Sequence, residues 1–310
     1  MTSTTGSKIG VILPCVSEAQ NIIRILKLFE CFHQTVFPIE EAMVICGPST
    51  DETAQIAENF SRSTSLPLRV LNQEGSGKTA AVHQALLQLA NVDFVFLCSA
   101  DVLPELSGLK KMFTTCRDND EIGVVGGRPI VDGGEQSIGV RLSRFHWDVH
   151  HFIASRSPKT TEVTLFRRID LEIDTSVTVD EAEIERVFIN KGFRITYLPE
   201  ARIYTSAPLT ISDYFHQRLR VTLGHLSLQQ HKHFKIGSLR WKLRVRSLLS
   251  VLKSRPPSPV VLVLGMALEV LVWIVASVLL AVGHRPKPNW QRIVSAKRKL
   301  KVRAASLLGT

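Results

Sequence analysis

Phe94–Glu105, FVFLCSADVLPE, opens with five mostly apolar residues, Phe94–Cys98, and turns polar at Ser99-Ala100-Asp101. This reads as a buried strand that delivers one carboxylate to an exposed edge. In open α/β sheets, ligands bind beyond the carboxyl ends of the strands. Asp101 therefore stands where a metal held by a diphosphate would sit.

The sequence before Phe94 alternates strands with helices. Ile9–Pro14 is an apolar strand, and Ile22, Ile23, Leu26 and Phe29 space a helix after it. Ser17 is the expected cap of that helix, with Gln20 completing a capping box. Ala42–Cys46 is a second strand, Gly47-Pro48-Ser49-Thr50-Asp51 is turn material, and Glu52–Phe60 is an amphipathic helix. Leu68–Leu71 is a third strand, Asn72–Lys78 a glycine-containing loop, and Thr79–Ala90 a helix. Such alternation predicts an α/β fold with a doubly wound, mainly parallel sheet. It gathers Glu18, Gly47–Asp51, Gly75–Lys78 and Asp101 along one edge.

Beyond Asp101, Ile122–Val125 reads as a strand that stops at Gly126-Gly127-Arg128-Pro129. Over Ser137–Phe152, His146 and His150 share a helix face, as do Trp147 and His151. Lys159–Asp170 returns a strand to the sheet, and Tyr214–Gln230 is a basic helix.

Composition narrows the class. Of 310 residues, 45% are hydrophobic and 21% charged, which fits a globular chain rather than a disordered one. The net charge of +10 lies largely after Arg218, beside an apolar segment. That arrangement favours an anionic membrane surface over nucleic acid. The five cysteines form no CxxC pair, so free thiols in a reducing compartment are expected. The first residues hold no apolar signal core, which is consistent with a cytoplasmic catalytic region.

Gly75-Ser76-Gly77-Lys78-Thr79 follows a strand and opens a helix, as a phosphate-binding P-loop does. That motif requires glycine at position 72, where this chain has Asn72. A P-loop-like kinase or a sugar nucleotidyltransferase is therefore the alternative reading.

Taken in order, several segments resemble the family 2 glycosyltransferases, whose nucleotide-sugar domain has the GT-A fold. ILPCVSEAQNI is similar to the family's opening, VICGPSTDETAQIAE to its second strand and Ser-Thr-Asp turn, and GSGKTAAVHQAL to its Gly-Lys segment. SADVLPE occupies the place of the Asp-x-Asp metal motif. Asp180-Glu181 sits where the family carries its acidic catalytic pair, before Lys191-Gly192-Phe193-Arg194-Ile195 and Tyr197-Leu198-Pro199-Glu200-Ala201. Gln217 and Arg220 resemble its Gln-x-x-Arg segment. The resemblance covers roughly residues 8–225.

It implies inverting, metal-dependent transfer from a nucleotide-sugar donor, with Mg²⁺ or Mn²⁺ as cofactor. The implied donor contacts are Pro14, Glu18, Gly47, Ser49, Asp51, Lys78, Ser99 and Asp101. Asp101 would be the metal ligand. The base would be Asp180 or Glu181, with Trp147, His151, Gln217 and Arg220 serving the acceptor and diphosphate. Counting back from Gly192 favours Glu181, while the expected side chain favours Asp180. The chain departs from the pattern in three places. Cys46-Gly47 replaces two acids often used for base and ribose. Ser99 replaces the first metal acid. Val221 follows Arg220 where processive relatives carry Trp, which points to non-processive transfer. Cys46, Gly47 and Ser99 also suit a catalytically degenerate membrane-binding protein of the same fold.

Pro259–Val282 is nearly continuous apolar sequence, long enough to cross a bilayer once. Glu269 lies near its centre, where an ionisable group is costly without a partner. Both flanks are basic, so the positive-inside rule leaves a single span and a re-entrant dip both open. Gly237–Lys253 alternates basic residues with Leu, Val and Trp241 and reads as an interfacial amphipathic helix. Trp290 suits the headgroup region, and Asn289–Leu300 a place along the surface. The expected organisation is a GT-A domain over 1–230, divided at 125/126 into a nucleotide-sugar half and an acceptor half. A basic interfacial segment (231–258), a transmembrane or re-entrant helix (259–283) and a basic tail (284–310) follow. The expected partners are a nucleotide-sugar donor, a lipid-linked or membrane-presented acceptor and membrane lipids, with the catalytic domain cytoplasmic.

Overall fold

The computed structural model describes residues 6–89, 91–132, 136–232, 234, 237–287, 300 and 302. Apolar runs that are buried on both faces make the central strands, β1 (Ile9–Cys15), β2 (Ile39–Cys46) and β4 (Phe94–Cys98). They join β3 (Leu68–Asn72), β5 (Val102–Pro104), β6 (Ile122–Val131), β7 (Val163–Arg167) and β8 (Arg194–Thr205) in one sheet. Its order is β3-β2-β1-β4-β7-β6-β8-β5. The β3-β2-β1-β4 half is parallel throughout. β7 then enters antiparallel to both β4 and β6. β8 runs parallel to β6, and β5 antiparallel to β8.

Helices cover both faces, as the alternating pattern requires. Along β4, Phe94, Phe96 and Cys98 pack into one core, with α1 (Ile22–Thr35) and α4 (Leu106–Arg117). Val95 and Leu97 point into the other, with α3 (Lys78–Gln88) and α6 (Asp180–Asn190). The period-two alternation of a strand thus divides one apolar run between two cores. α2 (Thr53–Ser61) flanks β3. An outer layer holds α5 (Ile138–Ala154), α7 (Ile211–Lys232), α8 (Trp241–Ser254) and α9 (Pro259–Ala281), with Leu142, Phe145, Tyr214, Val251, Val261 and Leu268 as its own core.

Three local expectations change. The capping box does not form. Ser17 takes a left-handed backbone (φ 57°), its hydroxyl meets Ser49, and α1 starts at Ile22 with Asn21 as an N-cap that makes no side-chain hydrogen bond. The Glu18 carbonyl accepts from the Asn21 and Ile22 amides instead. β5 is an addition, because three residues between a polar turn and a helix carry no periodic signal. β6 does not stop at Val125 but runs through Gly126-Gly127 to Val131.

Those glycines serve close approach rather than ending the strand. A Cβ on Gly126 would lie 2.8 Å from the Thr160 Cα and 2.9 Å from the Lys159 carbonyl oxygen. The 159–161 strap crosses there because Glu185 of α6 accepts hydrogen bonds from the Thr160 amide and hydroxyl. Backbone cannot move as a side-chain tip can, so Gly126→Ala is expected to cost about 1–3 kcal/mol of stability. Urea unfolding of the variant checks this.

α9 is the one helix among the described residues long and apolar enough to cross a membrane. It is a single helix, and Val261, Gly265, Leu268, Val272 and Ala276 form a buried stripe along it. Gly265 lets it approach α5, since a Cβ there would meet the Phe145 ring at 2.9 Å. After α9 the chain returns to the domain. Leu300 is buried beside α1, and the Arg24 guanidinium donates to the carbonyls of Leu300 and Val302. The expectations for Trp290 and for 289–299 lie outside the described residues.

Candidate active site

The carboxyl ends of β1, β2, β3 and β4 bring four loops to one edge of the sheet. Two of them brace each other. Asp51 accepts from the Ala19 amide, the Thr53 amide and hydroxyl and the Ser49 hydroxyl. Burial would raise its pKa, but these hydrogen bonds outweigh it and hold Asp51 below the usual carboxylate range. The Glu18 amide donates to the Thr53 hydroxyl at 2.7 Å. Ser49 and Asp51 therefore hold the Glu18 loop in place. Glu18 and Pro14 line the cleft in front of this edge, whereas Gly47, Ser49 and Asp51 do not.

The loop after β3 is closed by Gln84, which accepts from the Glu74 amide and donates to the Asn72 carbonyl. The Thr79 hydroxyl donates to the Val177 carbonyl at 2.6 Å, tying the start of α3 to the segment before α6. Lys78 consequently faces the first turn of α6. Its Nζ lies 3.0 Å from Asp180 and 2.7 Å from Glu181. The two acids expected as a catalytic pair thus share one cation.

A fourth carboxylate arrives from β7. Because β7 is antiparallel to β4, its start lies beside the end of β4. The Ser99 amide donates to the Glu162 carbonyl at 3.0 Å, and the Ser99 hydroxyl to the Glu162 carboxylate at 2.9 Å. Glu162 is absent from the residues expected on sequence grounds. A lone acid before an apolar run gives no sign of the strand it will pair with.

Charge in this corner is unbalanced. Asp101, Glu162, Asp180 and Glu181 line this corner with Lys78, and the only other ammonium lining the cleft among the described residues, Lys159, also attracts Glu181. Burial raises Glu162, and the neighbouring Glu181 and Asp101 add to it against Lys78. Burial and then Glu181 push Asp180 up to about 7, again against Lys78. Burial would also raise Glu181, but the attraction of Lys78 outweighs it and leaves Glu181 lowered. A hard divalent cation with oxygen ligands fits this excess of negative charge. Among the described residues no three His, Cys, Asp or Glu side chains form a group that could hold a metal ion by themselves.

The cleft, of about 620 Å³, continues from this corner under α5, α7 and α9. Trp147, Gln217 and Arg220 line it as expected, but His151 does not. His151 Nδ1 instead meets the Tyr197 hydroxyl at 3.0 Å, because α5 turns that position toward β8. His150 lines the cleft in its place. It is 5% exposed, stands edge-on to Trp147 at 5.0 Å, and neither of its ring nitrogens has a hydrogen-bond partner among the described residues. Burial, then the charge of Lys159, holds His150 well below the usual imidazole range, so it is neutral. His225 is lowered in the same way. The far wall is Glu269 of α9, which accepts from Arg218 and Arg244 at 2.7 Å each and from the Tyr214 hydroxyl at 3.1 Å.

Comparisons with known proteins bear on the family and the fold. The family model described as Glycosyl transferase family 2 matches residues 10–171, and that described as Glycosyl transferase family group 2 matches residues 141–284. A poly-beta-1,6-N-acetyl-D-glucosamine synthase of Staphylococcus aureus (strain COL) is 23% identical over 197 residues, covering 60% of this chain. The match covers 47% of that relative, so the chain spans about half the length of the curated relatives it matches. Among solved structures, the mannosyltransferase PcManGT from Pyrobaculum calidifontis, in complex with GDP-Man and Mn²⁺, superimposes with a TM-score of 0.59 at 19% identity. The match covers 89% of this chain and 79% of that one. Glucosyl-3-phosphoglycerate synthase from Mycobacterium tuberculosis, in complex with Mn²⁺, UDP and phosphoglyceric acid, gives 0.52 at 17% identity, over 72% of this chain and 79% of that one. These likenesses establish the fold as GT-A-type.

Proposed function

This chain belongs to glycosyl transferase family 2, and on that premise we propose that it transfers a single sugar, with inversion, from a nucleotide-sugar donor to a lipid-linked or membrane-presented acceptor. The observation that carries the reading is Lys78, held between Asp180 and Glu181 at the strand edge that also bears Asp101. Donor diphosphates need cations, and an attacking hydroxyl needs a base. Both stand in one corner of one cleft.

In this reading Glu181 is the general base. Its side chain is 23% exposed against 5% for Asp180, so it reaches the cleft more freely. Asp180 tunes it. When Asp180 is ionised, Lys78 is shared between two carboxylates and neutralises Glu181 less. Asp101 and Glu162 would hold Mg²⁺ or Mn²⁺, whose remaining ligands would be donor oxygens and water. The metal would supply positive charge against the negative charge developing on the leaving diphosphate. Lys78 and Arg220 add fixed positive charge on the protein side. Trp147 and the open nitrogens of His150 would receive acceptor hydroxyls. The catalytic domain would face the cytoplasm, where nucleotide sugars are made.

Because Asp180 titrates near 7, kcat/KM is expected to rise with pH through about 7. Protonation below that value removes one of the two charges that share Lys78. A pH–rate profile checks this, and the limb should be missing in Asp180→Asn.

Screening nucleotide sugars with Mg²⁺ or Mn²⁺ and a membrane extract, and measuring nucleoside diphosphate release, tests the assignment. Release is expected with one donor class, and about 10³-fold slower in Asp101→Asn. Folded protein that releases nothing from any donor would sink the reading. Similarity to a polymer synthase favours a second reading, repeated addition, which the length of the product separates from single transfer.

A further inference from the structure

The fold places α9 where a membrane-crossing helix cannot be. At 23 residues it is about 34 Å long, close to the roughly 30 Å of a bilayer's hydrocarbon. A crossing helix would meet lipid or other apolar helices along that length. The buried stripe of α9 instead runs from Val261 to Ala276 against the catalytic domain. Its neighbour α5 carries Arg141, Arg144 and Asp148, and α7 carries Arg218 and Arg220. At mid-helix Glu269 is bound by Arg218 and Arg244 and lines the cleft. Were α9 to cross, these elements would be drawn into hydrocarbon with it, at several kcal/mol for each unsatisfied group.

The tail gives an independent argument. Leu300 is buried in the core beside α1, on the catalytic domain, and Arg24 binds its carbonyl. Leu300 follows Lys287 by thirteen positions. If α9 had crossed, those residues would have to cross back. As a helix they would cover about 20 Å, too short for the hydrocarbon. Extended, they would carry unpaired backbone together with Arg292, Lys297, Arg298 and Lys299 through it. Both ends of α9 therefore lie on the side of the catalytic domain.

The outer face of α9 is apolar along its whole length. Val263, Met266, Val270, Trp273, Ile274 and Val278 are all exposed, opposite the buried stripe. α8 adds a second exposed stripe at Trp241, Val245 and Leu249, spaced four residues apart. Lys242, Arg246 and Lys253 stand exposed around it. An apolar stripe rimmed by cations is the surface of a helix that rests on anionic lipid.

We propose that α9 and α8 lie flat in the headgroup boundary of one leaflet of an anionic membrane, neither spanning nor dipping through it. The inner face of α9 then walls the acceptor end of the cleft, so the cleft meets the lipid surface from the side. Only this last clause rests on the glycosyltransferase reading.

The test reads topology and not activity, so its failure and the failure of that reading are distinguishable. Full-length protein in a Cys31→Ser background is added to preformed, sealed phosphatidylcholine–phosphatidylglycerol vesicles. Arg255→Cys and His284→Cys, at either end of α9, are both expected to react with an impermeant maleimide from outside. Bimane placed by Val263→Cys, Val270→Cys and Val278→Cys should report one shallow depth with nitroxide-lipid quenchers. Reversing Lys242 and Arg246 to Glu should lower vesicle binding about tenfold or more. Protection of position 284 would establish a span. Greater depth at 270 than at 263 and 278 would establish a dip. An absence of vesicle binding would remove the membrane surface altogether. Each of these three results overturns the proposal.

Discussion

Glu181→Gln is expected to lower kcat by about 10²–10⁴-fold while donor binding stays close to that of the parent protein. Glutamine keeps the shape and a hydrogen-bonding oxygen but cannot take a proton. The partly buried carboxylate beside Lys78 is the group on which that loss would fall. Asp180→Asn should cost less, since in the proposed reading it removes a charge that tunes the base rather than the base itself. It should also free Lys78 to pair more tightly with Glu181. Stopped-assay kcat values for both variants, with donor affinity measured by calorimetry, test the assignment. The reverse ranking would exchange the two roles.

The second large effect would fall on the metal that Asp101 and Glu162 are proposed to hold. Asp101→Asn is expected to reduce turnover by about 10³-fold, because a cation at the leaving diphosphate is worth several kcal/mol in the transition state. Glu162→Gln should do nearly as much. Its carboxylate receives the Ser99 hydroxyl and shares the negative charge of the same corner. A thermal-shift readout separates this from simple loss of fold. The parent protein should gain stability from Mn²⁺ plus a nucleoside diphosphate together, since a ligand that binds only the native state stabilises it. Both variants should lose that gain while keeping their ligand-free melting point. If Glu162→Gln kept the full gain, Asp101 would act without it.

Local signals in the chain are enough to specify much of this arrangement. β1 to β4 and the helices between them follow from short apolar runs and loops, and β4 falls on Phe94–Cys98 as expected. Asp180 and Glu181 are read as a pair from the resemblance, and the structure sets both against Lys78. What stays hidden depends on partners far away in the chain. Glu162 becomes a site residue through pairing with Ser99, 63 residues earlier. His150 takes the place expected for His151 because one helical step, about 100°, decides which faces the cleft. The apolar run of α9 reads as free on every side, since its one acid finds its partners 51 and 25 residues upstream. Gly126-Gly127 reads as the end of a strand because a strap crossing over a strand leaves no mark in the strand itself.

The antiparallel entry of β7 also bears on how the molecule can be divided. β4 has β1 on one side and β7 on the other, so its two edges are closed by segments far apart in the chain. A fragment ending after residue 125 would keep four parallel strands but leave β4 with five buried residues along an open edge. That edge would offer unpaired amides and carbonyls beside phenylalanine and valine, a template for joining to another copy. Residues 1–125 are thus unsuited to a separate existence. Exchange of single strand-end loops is therefore expected to keep the sheet intact, whereas exchange of the half would open β4.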